Sequence, residues 1–402
     1  MTRLIGVRRC YVGNFLFRVP PVIDFGWGRR DSVGTAVAQF GSRCVIVTTE
    51  RLHQNTPMIE AMQRRLHESH VLSTVYDGVK PNPTVDMMDS GAAVAQSFRA
   101  DVILGVGGGS AMDAAKAVAL GATNPGSTWD YRLFGERKIS NRVLPVVTVG
   151  TTAGTGSHVS PVSVLTNSDL NSKFAIVDYR LSPVWAIVDP ELTLSVPPHV
   201  TAATGFDVFA HAFESTLHPN ASPFVNLAAE RALRLVAQFL PRAVQDGNDV
   251  EARIAMAEAD TLAGICITNA GTTLPHGIAM AIGGHAPRVM HGAALAAVYP
   301  AVMRFTWADA ITQFSHLYQI LRNSPVLADG DPEQASRAVD LVEDFLAQIG
   351  LADTVDKLGI DSDILAAIVK DTFALPDYSV NPKVPSMDDV RDILSAGSTT
   401  VG

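Results

Sequence analysis

Short runs of β-branched and apolar residues recur through the first half of the chain: CVIVTT (44–49), VLSTVY (71–76), DVILGV (101–106), PVVTVG (145–150) and WAIVD (185–189). Stretches with helical spacing separate several of them, among them NTPMIEAMQRRLHES (55–69) and MDAAKAVALGA (112–122). Strands that alternate with helices predict βαβ units and a largely parallel sheet buried on both faces. After DPELTLSVPPHV (189–200) the pattern changes to long Ala- and Leu-rich helical segments, such as PFVNLAAERALRLVAQFL (223–240) and EARIAMAEADTLAGICI (251–267), with few strand candidates. The expected fold is therefore an α/β domain over residues 1–198 and an all-helical domain over 199–402, divided at the Pro197–Pro198 pair, with a cleft between them.

Length agrees with two domains, since 402 residues exceed what one hydrophobic core usually serves. The formal charge is −9 and no Lys/Arg run exceeds a dipeptide, which argues against a nucleic-acid groove or an anionic membrane surface and leaves small molecules as partners. Cys10, Cys44 and Cys266 are odd in number and far apart, so no disulfide framework or Cys-x-x-Cys metal site is expected, and packing accounts for all three. No apolar run of signal-peptide length follows Arg8 and Arg9, and Arg304 ends the apolar stretch 292–303 before it reaches a membrane-spanning length. A cytoplasmic protein is expected.

Two loops carry the first candidate chemistry. In DVILGVGGGSAMDAAKAVAL a strand, a glycine run and a helix follow one another, so Gly107, Gly108 and Gly109 let the backbone approach a ligand while the helix N–H groups favour phosphate oxygens. Without a ligand the same run is a tight strand-to-helix connection, and GGGS differs from the Rossmann spacing. The second loop, TVGTTAGTGSHVS, offers Thr151, Thr152, Thr155 and Ser157 as hydroxyl donors, or as residues that merely cap their own turn. Together, after two sheet strands, the loops favour a dinucleotide.

Histidines supply the second candidate. In GFDVFAHAFES, Asp207 and His211 lie four apart on one helix face, a spacing at which both reach one ion. With His276 and His291 they make a three-nitrogen, one-oxygen set suited to Fe(II) or Zn(II). His218 and His285 read as core or surface residues, with a proton relay open to His285. No hydrolase triad spacing is present.

IDFGWGRRDSVG, DGVKPNPT, GVGGGSAMDAAK, TTAGTGS, KFAIVD, VDPELT, GFDVFAHAFES and HGIAMAIGGHAPRVMHG occur in an order that resembles the iron-containing (group III) alcohol dehydrogenases, from Ile23 to Phe305. The resemblance implies the fold that family shares with dehydroquinate synthase and a homodimer or higher homo-oligomer. It implies that Gly107, Gly108, Gly109 and Ser110, with Asp113 beyond them, hold the pyrophosphate of NAD(P), and that Thr151, Thr152, Thr155 and Lys173 contact the rest of the cofactor. It also implies that Asp207, His211, His276 and His291 bind Fe(II), or Zn(II), which acts as a Lewis acid while hydride passes between nicotinamide and a small primary alcohol or aldehyde.

Four departures qualify the likeness. Met280 stands where relatives carry a relay histidine, and His285 is the nearest substitute. His158 replaces the usual Glu after GTGS, and the segment between His276 and His291 is one residue longer than usual. Thr49 replaces the Asp of many NAD users, beside Glu50, so the nucleotide choice stays open with a lean to NADP. Arg288 is a candidate for binding a carboxylate or phosphonate on an acidic aldehyde, or else a loop arginine. The alternatives are a lyase like dehydroquinate synthase and a metal-free reductase similar to maleylacetate reductase. The first wants more Lys and Arg near the ion than Arg288, and the second is at odds with four filled ligand positions.

Overall fold

The strand and helix periods of the first half close into a sheet with helices on both faces. The computed structural model describes residues 14–18, 21–360 and 362–396, so Cys10 and the Arg8–Arg9 pair lie outside the described residues. The described residues contain eight strands: β1 (Val22–Phe25), β2 (Arg43–Thr49), β3 (Leu72–Val79), β4 (Val102–Gly107), β5 (Val146–Gly150), β6 (Val162–Asn167), β7 (Ser172–Val177) and β8 (Trp185–Val188). Six of them form one sheet in the order β1-β8-β5-β4-β2-β3, every neighbouring pair parallel. Between the strands run α1 (Val33–Ala38), α2 (Glu50–Asn55), α3 (Met58–Glu68), α4 (Val85–Phe98) and α5 (Gly109–Gly121).

Alternate residues of a strand face opposite sides. Val45, Val47 and Ile103 therefore pack with Ala114, Ala115 and Val118 of α5, whereas Cys44, Ile46 and Leu104 pack with Ile59, Met62 and Leu66 of α3. This is why the strands read as unbroken apolar runs. Cys44 and Cys266 are both buried, and burial pushes their thiols far above the ordinary range, which suits packing rather than reactivity.

Two parts of this half escaped the pattern. β1 is a four-residue strand at the sheet edge, partly exposed along its length, so it has no buried run to announce it. β6 and β7 form a separate antiparallel hairpin whose strands mix buried with half-buried positions, and Asn171 adopts φ 47° in its turn.

From Pro198 onward the regular structure of the described residues is helical: α6 (Pro198–Leu217), α7 (Pro223–Gln245), α8 (Val250–Asn269), α9 (Leu274–His285), α10 (His291–Thr306), α11 (Ile311–Leu321), α12 (Pro332–Gln348), α13 (Ser362–Thr372) and α14 (Met387–Ser395), with short 3-10 turns between some of them. Ser222 and Asp249 cap α7 and α8 by accepting the Val225 and Ala252 N–H groups. Phe206, Phe209, Phe213, Tyr299 and Phe314 interlock at the centre of this half. Among the described residues no helix is long and apolar enough to cross a membrane.

α10 lies so close to α6 that a β-carbon on Gly292 would stand 1.9 Å from the Ala203 carbonyl oxygen. The carbonyl belongs to a helix backbone and has little room to yield. Gly292→Ala should therefore cost about 1–3 kcal/mol, lower the thermal unfolding midpoint by several degrees, and displace the neighbouring His291. An unchanged melting curve by differential scanning calorimetry would show that the two helices can part freely.

Candidate metal and nucleotide site

The C-terminal ends of the neighbouring strands β2, β4 and β5 bring Thr49, Gly107 and Gly150 to one edge of the sheet, with Gly107 paired to Gly150. Ligands of open parallel sheets bind at that edge. Gly107 ends β4 at φ 144°, which a side chain would strain, and Gly108 caps α5 in extended conformation. The first N–H groups of α5 have no partner within the helix and point toward whatever lies ahead of it. The threonine loop packs directly on this turn. The Thr151 N–H donates to Gly107 O at 3.0 Å, and β-carbons placed on Gly108 and Gly109 would reach the Thr152 and Thr155 side chains at 3.2 and 2.6 Å.

A cavity of about 500 Å³ opens between the sheet edge and the helices. Gly109, Ser110, Asp113, Thr155 and Lys173 line it from the sheet side. Thr49, Gly107, Gly108, Thr151 and Thr152 are absent from its lining; the Thr49 hydroxyl accepts the Leu52 N–H and so caps α2. The Asp113 carboxylate accepts the Ser157 hydroxyl at 2.6 Å and the Val164 N–H at 3.1 Å, with the buried Lys116 ammonium 3.6 Å away. Lys173 donates to Asn82 at 2.9 Å, and burial pushes its ammonium down to about 8 against the pull of Asp113 and Asp207.

At the inner end of the cavity, α6, α9 and α10 meet. One ligand atom each from Asp207, His276 and His291 lies within 4.8 Å of the other two. His211, one turn beyond Asp207 on α6, places its Nε2 3.5 Å from Asp207 Oδ1 and stacks its ring on that of His276, the centroids 4.7 Å apart. Asp207 Oδ1 and His276 Nε2, 3.4 Å apart, are buried without a hydrogen-bond partner, and His211 and His291 face the same oxygen through Nε2 at 3.5 and 3.9 Å. Buried polar atoms are rarely left so, and an unpartnered carboxylate oxygen ringed by three imidazoles fits a cation that would satisfy it.

Electrostatics agree. Burial pushes His211 down to about 4 and His291 to about 3, keeping both imidazoles neutral, the form that ligates metals. Burial also acts on His276, but the Glu214 and Asp207 carboxylates outweigh it and hold the ring at about 10. The Asp207 carboxyl, despite burial, is held well below the usual range by the imidazoles around it. The cluster is organised around positive charge.

Glu214 was not picked out in the sequence. Its Oε1 lies 2.8 Å from His276 Nδ1 and its Oε2 accepts the Thr273 N–H at 2.7 Å. A carboxylate on Nδ1 leaves Nε2 free to ligate. The signal was present: Glu214 follows Asp207 by seven residues on α6, which returns it to the same face.

His285 does not join the site. Nine residues past His276 on α9, at about 100° per residue, it faces the opposite side of the helix, where its Nε2 meets Asp371 of α13 at 2.8 Å. Met280, four residues past His276, does line the cavity. Arg288 is also absent from the lining: it is exposed and its guanidinium bonds the Gly359 carbonyl. The guanidinium therefore provides no anion site inside the cavity. His218, passed over as a packing residue, does line it, with Nδ1 accepting the Asn220 N–H.

His158 lies behind the threonine loop, its Nε2 3.0 Å from the Thr261 hydroxyl of α8, and burial pushes it down to about 3. Beside it Asp260 accepts the Gly156 N–H at 2.8 Å. Together they fasten that loop to α8.

Two family models divide the chain between them: iron-containing alcohol dehydrogenase over residues 20–190, and the C-terminal part of the Fe-containing alcohol dehydrogenase family over 201–397. The chain is 31% identical to an NAD-dependent methanol dehydrogenase of Bacillus methanolicus, over 94% of this chain and 98% of that one. It is 34% identical to long-chain-alcohol dehydrogenase 1 of Geobacillus thermodenitrificans, over 94% and 95%. Among solved structures it is similar to an archaeal halo-thermophilic alcohol dehydrogenase from a Red Sea brine pool, with TM-score 0.90 and 31% identity over 95% of this chain and 98% of the other. With both halves matched, the chain belongs to the iron-containing alcohol dehydrogenase family.

Proposed function

We propose that the protein interconverts small primary alcohols and aldehydes with a nicotinamide nucleotide, using Asp207, His211, His276 and His291 as the ligands of one divalent ion, Fe(II) in preference to Zn(II). The observation that carries this reading is the buried cluster of Asp207, His276 and His291 ligand atoms, with His211 Nε2 3.5 Å from Asp207 Oδ1, in a cavity that the first turn of α5 also lines. A divalent ion supplies Lewis acidity toward a hydroxyl or carbonyl oxygen, and the nicotinamide supplies the hydride acceptor or donor.

The chain's own residues do the rest. The first turn of α5, at Gly109 and Ser110, binds pyrophosphate oxygens through its N–H groups, and Thr155 seals the turn from above. Lys173, buried and bonded to Asn82, gives the nucleotide a fixed donor. Asp113 supports this wall by holding Ser157 and β6 rather than by meeting the ligand directly. Glu214 orients His276. Met280 leaves no ionisable group at the position one turn beyond His276, so protons leave by another route. With Arg288 outside the cavity wall we do not assign acidic aldehydes as substrates. Thr49 offers no carboxylate at the tip of β2, while the exposed Glu50 beside it does, and we read the nucleotide choice as leaning to NADP.

After anaerobic purification with Fe(II), elemental analysis should find one ion per chain in the wild type and none in Asp207→Asn or His276→Ala, with alcohol-dependent reduction of the nucleotide lost in parallel. A variant that lacks the ion and keeps its turnover would reject the proposed ligand set.

Glu214→Gln should weaken metal affinity about 10–100-fold while leaving the four ligands in place. A chelator competition titration reads this directly, and unchanged affinity would show that Glu214 packs without tuning the ion.

For the nucleotide, kcat/KM with NADPH should equal or exceed that with NADH. A preference of about tenfold for NADH in steady-state assays would overturn the lean.

A further inference from the structure

Most charged side chains along the cavity wall already have partners. Asp113 is held by Ser157, the Val164 N–H and Lys116, Asp207 faces the imidazoles, and Lys173 donates to Asn82. No arginine lines the cavity among the described residues. Asp377, which enters from the loop after α13 at the start of a short 3-10 turn, is held through only one of its two carboxylate oxygens by a side chain of the described residues.

The position of Asp377 is close to the metal cluster and well defined. A β-carbon added to Gly277, the residue after His276, would stand 3.1 Å from the Asp377 Cβ. Oδ1 accepts the Thr272 hydroxyl at 2.7 Å, and Oδ2 makes no hydrogen bond to another side chain among the described residues. Met280, Leu375 and Val380 contribute apolar surface to the same cavity wall, beside the polar Thr272 and His276. A carboxylate oxygen on the cavity wall with no side-chain partner among the described residues is available to a hydrogen-bond donor that enters the cavity.

We propose that Asp377 is a specificity-determining residue, selecting alcohols that carry a second hydrogen-bond donor, a hydroxyl or an ammonium group, and disfavouring those that end in a carboxylate. The inference rests on the reading of this cavity as an alcohol site. The reacting carbinol is directed to the histidine cluster while the far end of the molecule meets Oδ2. A second hydroxyl or an ammonium group there gains a charge-assisted bond; a methyl group gains none; a carboxylate meets like charge.

Calorimetric titration of the Fe(II)-loaded protein with NADPH bound compares 1-butanol, 1,4-butanediol, 4-aminobutan-1-ol and 4-hydroxybutanoate without requiring turnover. The wild type should bind the diol, the amino alcohol or both at least about tenfold more tightly than 1-butanol, and 4-hydroxybutanoate more weakly. Preference for the diol alone identifies a hydroxyl as the natural donor, and preference for the amino alcohol alone identifies an ammonium group. In Asp377→Asn and Asp377→Ala the ratio to 1-butanol should fall toward one. Equal affinities in the wild type, or a ratio unchanged in both variants, overturn the inference. Selective binding of the diol or amine without hydride transfer would reject the proposed function and leave the inference standing, whereas hydride transfer without selectivity would do the opposite.

Discussion

A carboxylate oxygen enclosed by protein with no hydrogen bond is among the least favourable things a fold can contain, and Asp207 Oδ1 is held in that condition by three helices. His211, His276 and His291 surround it at 3.4 to 3.9 Å, and burial keeps two of the three rings neutral. Much of the surrounding architecture serves to maintain this arrangement. α6 presents Asp207, His211 and Glu214 on one face, and Glu214 fixes His276. Gly292 lets α10 approach α6 closely enough for His291 to join.

The proposed nucleotide side depends on a different constraint, the parallel pairing of β4 with β5. Gly107 and Gly150 end these strands in register, so the glycine turn and the threonine loop leave the sheet side by side. Each then stiffens the other through contacts that tolerate no extra β-carbon. The threonine loop is fastened in turn to α8 by Asp260, with His158 packed beside it against Thr261. In this way the α/β half and the helical half share one loop, and the cavity between them inherits its shape from both. The histidine at position 158, which had no explanation in the sequence, acts as a neutral packing group in that junction rather than as a titrating one.

Legibility followed the range of the interaction. The βαβ alternation was plain because strands buried on both faces read as apolar runs, as in CVIVTT and DVILGV. Edge strand β1 and the β6–β7 hairpin lacked such runs and were missed. Asp207 and His211 were legible as a pair because a spacing of four is local to one helix. Glu214 obeyed the same rule and could have been found by extending the face one more turn. His285 could not be separated from His276 and His291 until the limits of α9 were known, since only then does a nine-residue offset become a half-turn. Arg288 looked like a pocket residue from its place between two histidines, yet the loop turns it outward to Gly359.

By itself, then, the sequence determined the α/β and helical classes, the glycine and threonine loops and the residues able to ligate an ion, because each is written in local spacing and residue type. Only the tertiary structure decided which histidines share a centre, which basic residue reaches the cavity and that Asp377 joins its wall. Those outcomes depend on how helices far apart in the chain pack, and residues such as Thr272 and Asp377, 105 positions apart, meet only when that packing is complete.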